Sequence, residues 1–200
     1  MRQHHLPEVN MTIYSYGQAE PIVQKLIELL PPQSEILDIG CGEGRNTLPL
    51  ARHGMRVEGW DKDLKEIDNL QKLAGQEQLP IKVVPCDMRD FRIGYDRWNA
   101  ILTILCLHYL RPEDAIERLL RVRLALIPGG YHALVVFTKD GDLARQRDDR
   151  FYPPLHELKK HYASWEIITE KIDSVRCLQK GPQGQTLINE CLTLLARKPL

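Results

Sequence analysis

Ile36-Leu37-Asp38-Ile39-Gly40-Cys41-Gly42-Glu43-Gly44-Arg45-Asn46 is the stretch on which the reading of this chain turns. It reads as a short buried strand, a glycine turn and the start of a helix. Gly40, Gly42 and Gly44 let the backbone turn sharply and come close to a ligand, where a Cβ would obstruct. The helix that follows offers unpaired N–H groups and the positive end of its dipole to something anionic. Such an arrangement points to a nucleotide-like ligand at the C-terminal edge of a parallel sheet. The spacing differs from the G-x-G-x-x-G dinucleotide fingerprint, whose third glycine falls three residues after the second. Here the run is Asp38-x-Gly40-x-Gly42-x-Gly44, with an acid two residues before the first glycine. A ligand-free glycine turn is the competing reading, but a plain turn rarely needs an acid and three alternating glycines.

Working outward, Ile22, Val23, Leu26, Ile27, Leu29 and Leu30 fall at helical spacing, with Pro21 in the first turn and Pro31-Pro32 as the stop. The first strand is expected at about 35–39, and a helix at about 45–53 is closed by Gly54. A second strand over 55–63 ends in acids, and Asp61 stands 23 positions after Asp38 (61 − 38). A carboxylate there can accept both ribose hydroxyls of a bound nucleoside. The competing role is the N-cap of the next helix, which Asp63 fills better. That helix spans about 64–74, and a third strand at 81–85 leads to Cys86-Asp87-Met88.

A fourth strand at 98–105 is apolar throughout, as a central parallel strand is. Pro112-Glu113-Asp114 opens a helix reaching about 126, Pro128-Gly129-Gly130 ends it, and a fifth strand covers 131–137. Residues 138–150 are strongly charged and read as a solvated loop. A short helix at about 154–162 precedes two long strands joined through Gly181-Pro182-Gln183-Gly184.

The 200 residues suit one domain at 21–200 behind a lead-in at 1–20. Lys plus Arg and Asp plus Glu are both 27, so no broad basic footprint for nucleic acid is expected. No apolar run approaches the ~20 residues of a membrane span, and the first residues lack a secretory signal's apolar core. The five cysteines contain no C-x-x-C pair and read as free thiols of a reducing cytoplasm. No metal site is expected.

The acid-plus-glycine run resembles motif I of the class I S-adenosylmethionine-dependent methyltransferases. Gly59-Trp60-Asp61-Lys62, the segment 151–165 and the closing Leu195-Ala196-Arg197-Lys198 resemble, more narrowly, the tellurite-resistance type of small bacterial methyltransferase. The resemblance covers nearly the whole chain from Tyr14. It implies an α/β, Rossmann-like seven-stranded sheet of order 3-2-1-4-5-7-6, built from five βα units and a closing antiparallel hairpin. It implies S-adenosylmethionine as cofactor and S-adenosylhomocysteine as product, held by Asp38, Gly40, Cys41, Gly42, Arg45, Asn46, Asp61 and Lys62. Asp87 would accept from the adenine amino group while Met88 packs on the ring, or else Asp87 caps a turn. Backbone at Ile104 and Leu105 would hold the cofactor's amino group. Tyr16 and Gly17 would belong to a lead-in folded over the cofactor as a lid, with a frayed terminus as the alternative.

His108, Tyr109 and Arg176 are the candidates for handling the acceptor, with Tyr152 and His156 behind them; each also has a packing or surface reading. Where the tellurite-resistance pattern has a His-Arg pair, this chain has Arg176 without a histidine. The acceptor is expected to be a small molecule or a tellurite- or selenite-like oxyanion. The chain lacks the Asn/Asp-Pro-Pro-Tyr/Phe and Pro-Cys signatures of nucleic-acid methylation. A monomer or homodimer is expected. A nicotinamide-dependent Rossmann oxidoreductase and a non-catalytic cofactor-binding module are the alternatives.

Overall fold

The computed structural model describes residues 11–12, 18–90 and 92–200. In chain order the elements are β1 (Met11–Thr12), α1 (Pro21–Leu29), β2 (Glu35–Ile39), α2 (Thr47–Arg52), β3 (Arg56–Asp61), α3 (Leu64–Gln76) and β4 (Ile81–Pro85). Then come β5 (Trp98–Ile104), a 3-10 turn (Leu107–Tyr109), α4 (Pro112–Ala125), β6 (Leu126–Phe137), α5 (Asp142–Gln146), α6 (Leu155–Lys160), β7 (Glu166–Lys180) and β8 (Thr186–Arg197). One sheet contains every strand, in the order β1-β7-β8-β6-β5-β2-β3-β4. From β4 to β7 this is the expected 3-2-1-4-5-7-6, and β8 runs antiparallel to both β6 and β7. The two-residue β1 is an addition to the expected plan, pairing in parallel with β7 through Met11↔Ser174 and Thr12↔Val175.

Period-two alternation divides the core between the two faces of the sheet. Leu37 and Ile39 of β2, Ile101 of β5 and Leu134 and Val136 of β6 pack with Ala115, Leu119 and Val122 of α4. Their sequence neighbours Ile36, Ala100, Leu102, Ala133 and Val135 pack on the other side with Ile22, Val23 and Leu26 of α1 and Leu50 of α2. Both faces are therefore covered, which explains the unbroken apolar run of β5. Asp63 caps α3 as expected, accepting from the amides of Lys65 and Glu66. A fully buried polar chain crosses the first layer: Thr103 Oγ1 lies 2.8 Å from His132 Nε2, and Tyr162 Oη lies 2.7 Å from His132 Nδ1.

Three expectations need correction. Among the described residues the third βα unit has no helix between β4 and β5; Asp87, Arg89 and Asp90 instead form a hydrogen-bonded turn. The fifth strand starts at Leu126 and not at Tyr131, because Leu126 pairs with Trp98 ahead of a register shift. Gly129 (φ 75°) and Gly130 stay at the sheet by bonding to the Lys198 backbone, so the Pro-Gly-Gly turn becomes an irregularity within the strand. The charged segment at 138–150 contains α5, whose Leu143 amide donates to the buried Asn189 side chain.

Candidate functional site

The glycine loop leaves β2 at the C-terminal edge of the sheet, where β2 lies between β3 and β5. Strand order reverses at this point, opening a crevice between the loops after β2 and β5. Gly40, Gly42 and Gly44 all have left-handed φ, at 75°, 53° and 89°. A Cβ on Gly40 would stand 2.7 Å from Cys106 Cβ, so the loop rests directly on the chain that follows β5. Most of the loop amides bond within the protein. Gly40 and Cys41 donate to Trp60 O (2.7 and 3.1 Å), Gly42 to Asp61 Oδ2 (3.0 Å), and Gly44 to Cys41 O (3.0 Å). An amide nest for a pyrophosphate needs those N–H groups unbonded, so the loop argues against a dinucleotide.

Asp38 is 1% exposed, and its Oδ2 accepts from Thr47 Oγ1 at 2.7 Å. Burial pushes this carboxyl up to about 6, against the opposing pull of Thr47 and Arg45. It braces the loop against α2 from below. Arg45 Nη1 lies 2.9 Å from Oε1 of the buried Glu20, whose amide in turn donates to Asn46 Oδ1 (3.0 Å). Asn46 therefore serves the segment ahead of α1 instead of capping α2. Asp61 receives Gly42 N on one oxygen and Asp63 N on the other (both 3.0 Å). A carboxylate has about four acceptor positions, which leaves one on each oxygen for a pair of ligand hydroxyls. Lys62 follows it, exposed to solvent.

Asp87 is clamped by Arg89, with Nη2 at 2.5 Å and Nε at 3.0 Å, and the guanidinium holds its carboxyl down at about 2. Met88 stretches back toward the loop, its Cε 4.0 Å from where a Gly40 Cβ would be. Ile104 is buried at the end of β5. Leu105 then adopts φ 52°, while its amide still donates to Val135 O (2.8 Å). A left-handed leucine costs about 1–2 kcal/mol, and such strain collects where a chain is redirected for function. Cys41 and Cys106 are buried, and burial pushes both thiols up, so neither is a nucleophile.

Beyond Leu105, the His108 ring sits among Tyr109, Phe137 and Tyr152, with centroids 4.3, 5.0 and 6.4 Å away. Its Nδ1 is buried with no hydrogen-bond partner, and burial lowers the imidazole to about 4. Tyr109 itself is 61% exposed. Arg176 is exposed on β7, four strands out from β2, which at ~4.8 Å per strand is roughly 19 Å. His156 is exposed, within 3.8 Å of Glu157. Tyr16 and Gly17 lie outside the described residues. Glu20, Thr47 and Phe137 have clear roles here that their local sequence does not announce.

The neutral imidazoles make stability depend on pH. His108 and His132, lowered to about 4 and about 3, stay uncharged when folded, while the unfolded chain takes protons below about 6.5. Each therefore removes stability as pH falls. Asp38, raised from 3.8 to about 6, acts oppositely between those values. Near pH 5 the two histidines outweigh the one carboxyl. Replacing His108 by Phe should flatten the fall in stability by about 1.4 kcal/mol per pH unit. Urea unfolding from pH 6.5 to 5 would reveal it, and parallel curves for the two proteins would contradict it.

The family model described as "Tellurite resistance protein TehB" matches residues 10–194. The "probable S-adenosyl-L-methionine-dependent methyltransferase TehB" of Haemophilus influenzae is 26% identical over 164 residues, covering 82% of this chain and 57% of that protein. "Hemagglutinin 1" of Eikenella corrodens is 24% identical over 177 residues, covering 88% and 58%. The crystal structure of Haemophilus influenzae TehB superposes with a TM-score of 0.75 at 24% identity, covering 90% of this chain and 62% of that one. The chain thus spans less than two thirds of the length of these relatives.

Proposed function

This chain belongs to the TehB tellurite-resistance family, and on that premise we propose that it transfers a methyl group from S-adenosylmethionine to a small-molecule acceptor. The observation that carries this reading is Asp61, anchored to the loop by Gly42 N and retaining an acceptor position on each oxygen. When bound, the cofactor supplies a methyl group open to in-line displacement, leaving a neutral thioether.

Asp61 would take the ribose hydroxyls, and Met88 would pack on the base. The backbone from Gly40 to Gly42 would hold the cofactor, with Asp38 and Thr47 fixing the loop. His108, Tyr109, Phe137 and Tyr152 form the wall at which the acceptor arrives. An uncharged His108 offers a ring nitrogen there and adds no positive charge beside a sulfonium. Orienting two reactants against such a wall contributes much of the rate.

Thermal melting with S-adenosylmethionine, S-adenosylhomocysteine, NAD and buffer tests the reading. Ligand at about 100 times its dissociation constant should add ~2.7 kcal/mol, a shift of roughly 5–10 °C in a domain of this size. A shift with S-adenosylhomocysteine and none with NAD is expected. NAD alone shifting the midpoint would replace methyl transfer with the oxidoreductase alternative.

A further inference from the structure

We propose that the groove between the start of α4, residues 148–154 and α6 is a subsite for the methyl acceptor and takes an organic cation with an apolar body. The proposal rests on the methyl-transfer reading of the adjoining crevice. The groove encloses about 580 Å³, within the range of small-molecule sites. Ile116, Phe151 and Leu158 make an apolar floor, the last two almost completely buried. Half-buried Tyr152 also lines the groove. Its ring lies nearly parallel to that of His108 (19°, centroids 6.4 Å apart), so one side chain belongs to both the groove and the aromatic wall.

The charges at the mouth point to the occupant. Glu113, Asp148 and Glu157 line it, all exposed at the rim. The opposing groups are Arg150 and His161. The Arg150 guanidinium is committed elsewhere, with Nη1 donating to Tyr109 O at 2.6 Å and Nε 3.3 Å from Asp149. Burial and the Arg123 charge keep His161 from protonating readily. Exposed His156 stands 3.8 Å from Glu157, at the outer side of α6. Three carboxylates over an apolar floor attract a positive group on a hydrophobic body, and the Tyr152 ring face adds to that attraction. An oxyanion would meet the carboxylates unfavourably. With its positive group at the rim, the molecule points its other end past Tyr152 toward His108.

The test uses the full chain loaded with S-adenosylhomocysteine and three probes of one shape: phenethylamine, 2-phenylethanol and phenylacetate. Calorimetry at neutral pH should rank phenethylamine at least ~10-fold tighter than phenylacetate. Glu113→Gln, Asp148→Asn and Glu157→Gln combined should remove that preference while leaving the melting midpoint and S-adenosylhomocysteine affinity in place. In protein labelled at histidine, phenethylamine should move the His108 signals. Equal binding of phenylacetate, a preference surviving the triple variant, or a probe that leaves His108 unmoved would each overturn the proposal. Failure of S-adenosylhomocysteine to bind at all would instead overturn the methyl-transfer reading, independently of how the probes rank.

Discussion

Asp61→Ala is expected to weaken S-adenosylhomocysteine binding by ~1.5–3 kcal/mol, roughly ten- to a hundred-fold, the scale of charge-assisted hydrogen bonds. The carboxylate works on two sides in the proposed complex. Toward the protein it holds the amides of Gly42 and Asp63; toward the ligand it offers its remaining acceptor positions. Alanine removes both, while asparagine keeps one acceptor oxygen and should fall between. The α3 cap is Asp63, so Asp61 is not needed to start that helix. The melting midpoint without ligand should accordingly fall only by the loss of these two amide contacts, with the helix cap intact. Calorimetric affinity equal to that of the unaltered protein would remove Asp61 from the site.

Gly40→Ala carries the larger expected cost to the fold. The residue would occupy φ 75°, and its Cβ would meet Cys106 Cβ at 2.7 Å. Left-handed backbone costs about 1–2 kcal/mol, and overpacking of this kind typically adds 1–3 kcal/mol. The expected loss is thus ~2–5 kcal/mol in urea unfolding, together with loss of cofactor binding as the loop lifts from the β5 exit. Gly54 is the natural comparison, with φ 82° but its nearest neighbour, Pro32 Cβ, at 3.4 Å. Gly54→Ala should show only the backbone cost. Adding Cys106→Gly to Gly40→Ala should recover the overpacking part alone. Equal losses for the two alanine variants would mean that the contact with Cys106 does not matter.

Much of this architecture was legible because local pattern and global position agree. The β2 strand lies at Glu35–Ile39 and β4 at Ile81–Pro85, where apolar runs end in glycine or acid. Asp61 and Asp63 divide their roles as their spacing suggests, one facing the loop and one capping a helix. What stayed hidden depends on distant contacts. The Glu20 carboxylate meets Arg45 across 25 positions (45 − 20), and nothing beside Pro21 marks it. The His132 chain joins β5, β6 and the segment after α6, so its members are not neighbours in sequence. Leu126 enters the sheet ahead of Pro-Gly-Gly because Trp98 pairs with it, which overrides the usual stop signal. The two residues of β1 are too few to carry a periodic signal, and their strand exists only because β7 offers an edge.

The position of β8 also bears on how the protein is made. This strand lies between β6 and β7 yet follows both in the chain. As the polypeptide leaves the ribosome, β6 emerges with one edge unpaired, carrying Ala133, Leu134, Val135 and Val136, all of which end up buried. That edge is closed only when β8 arrives as part of the β7–β8 hairpin. Until then it is a sticky template of the kind that chaperones cover. The nascent chain is therefore most vulnerable to misassociation late in synthesis, after the crevice between β2 and β5 has its strands but before the sheet is sealed.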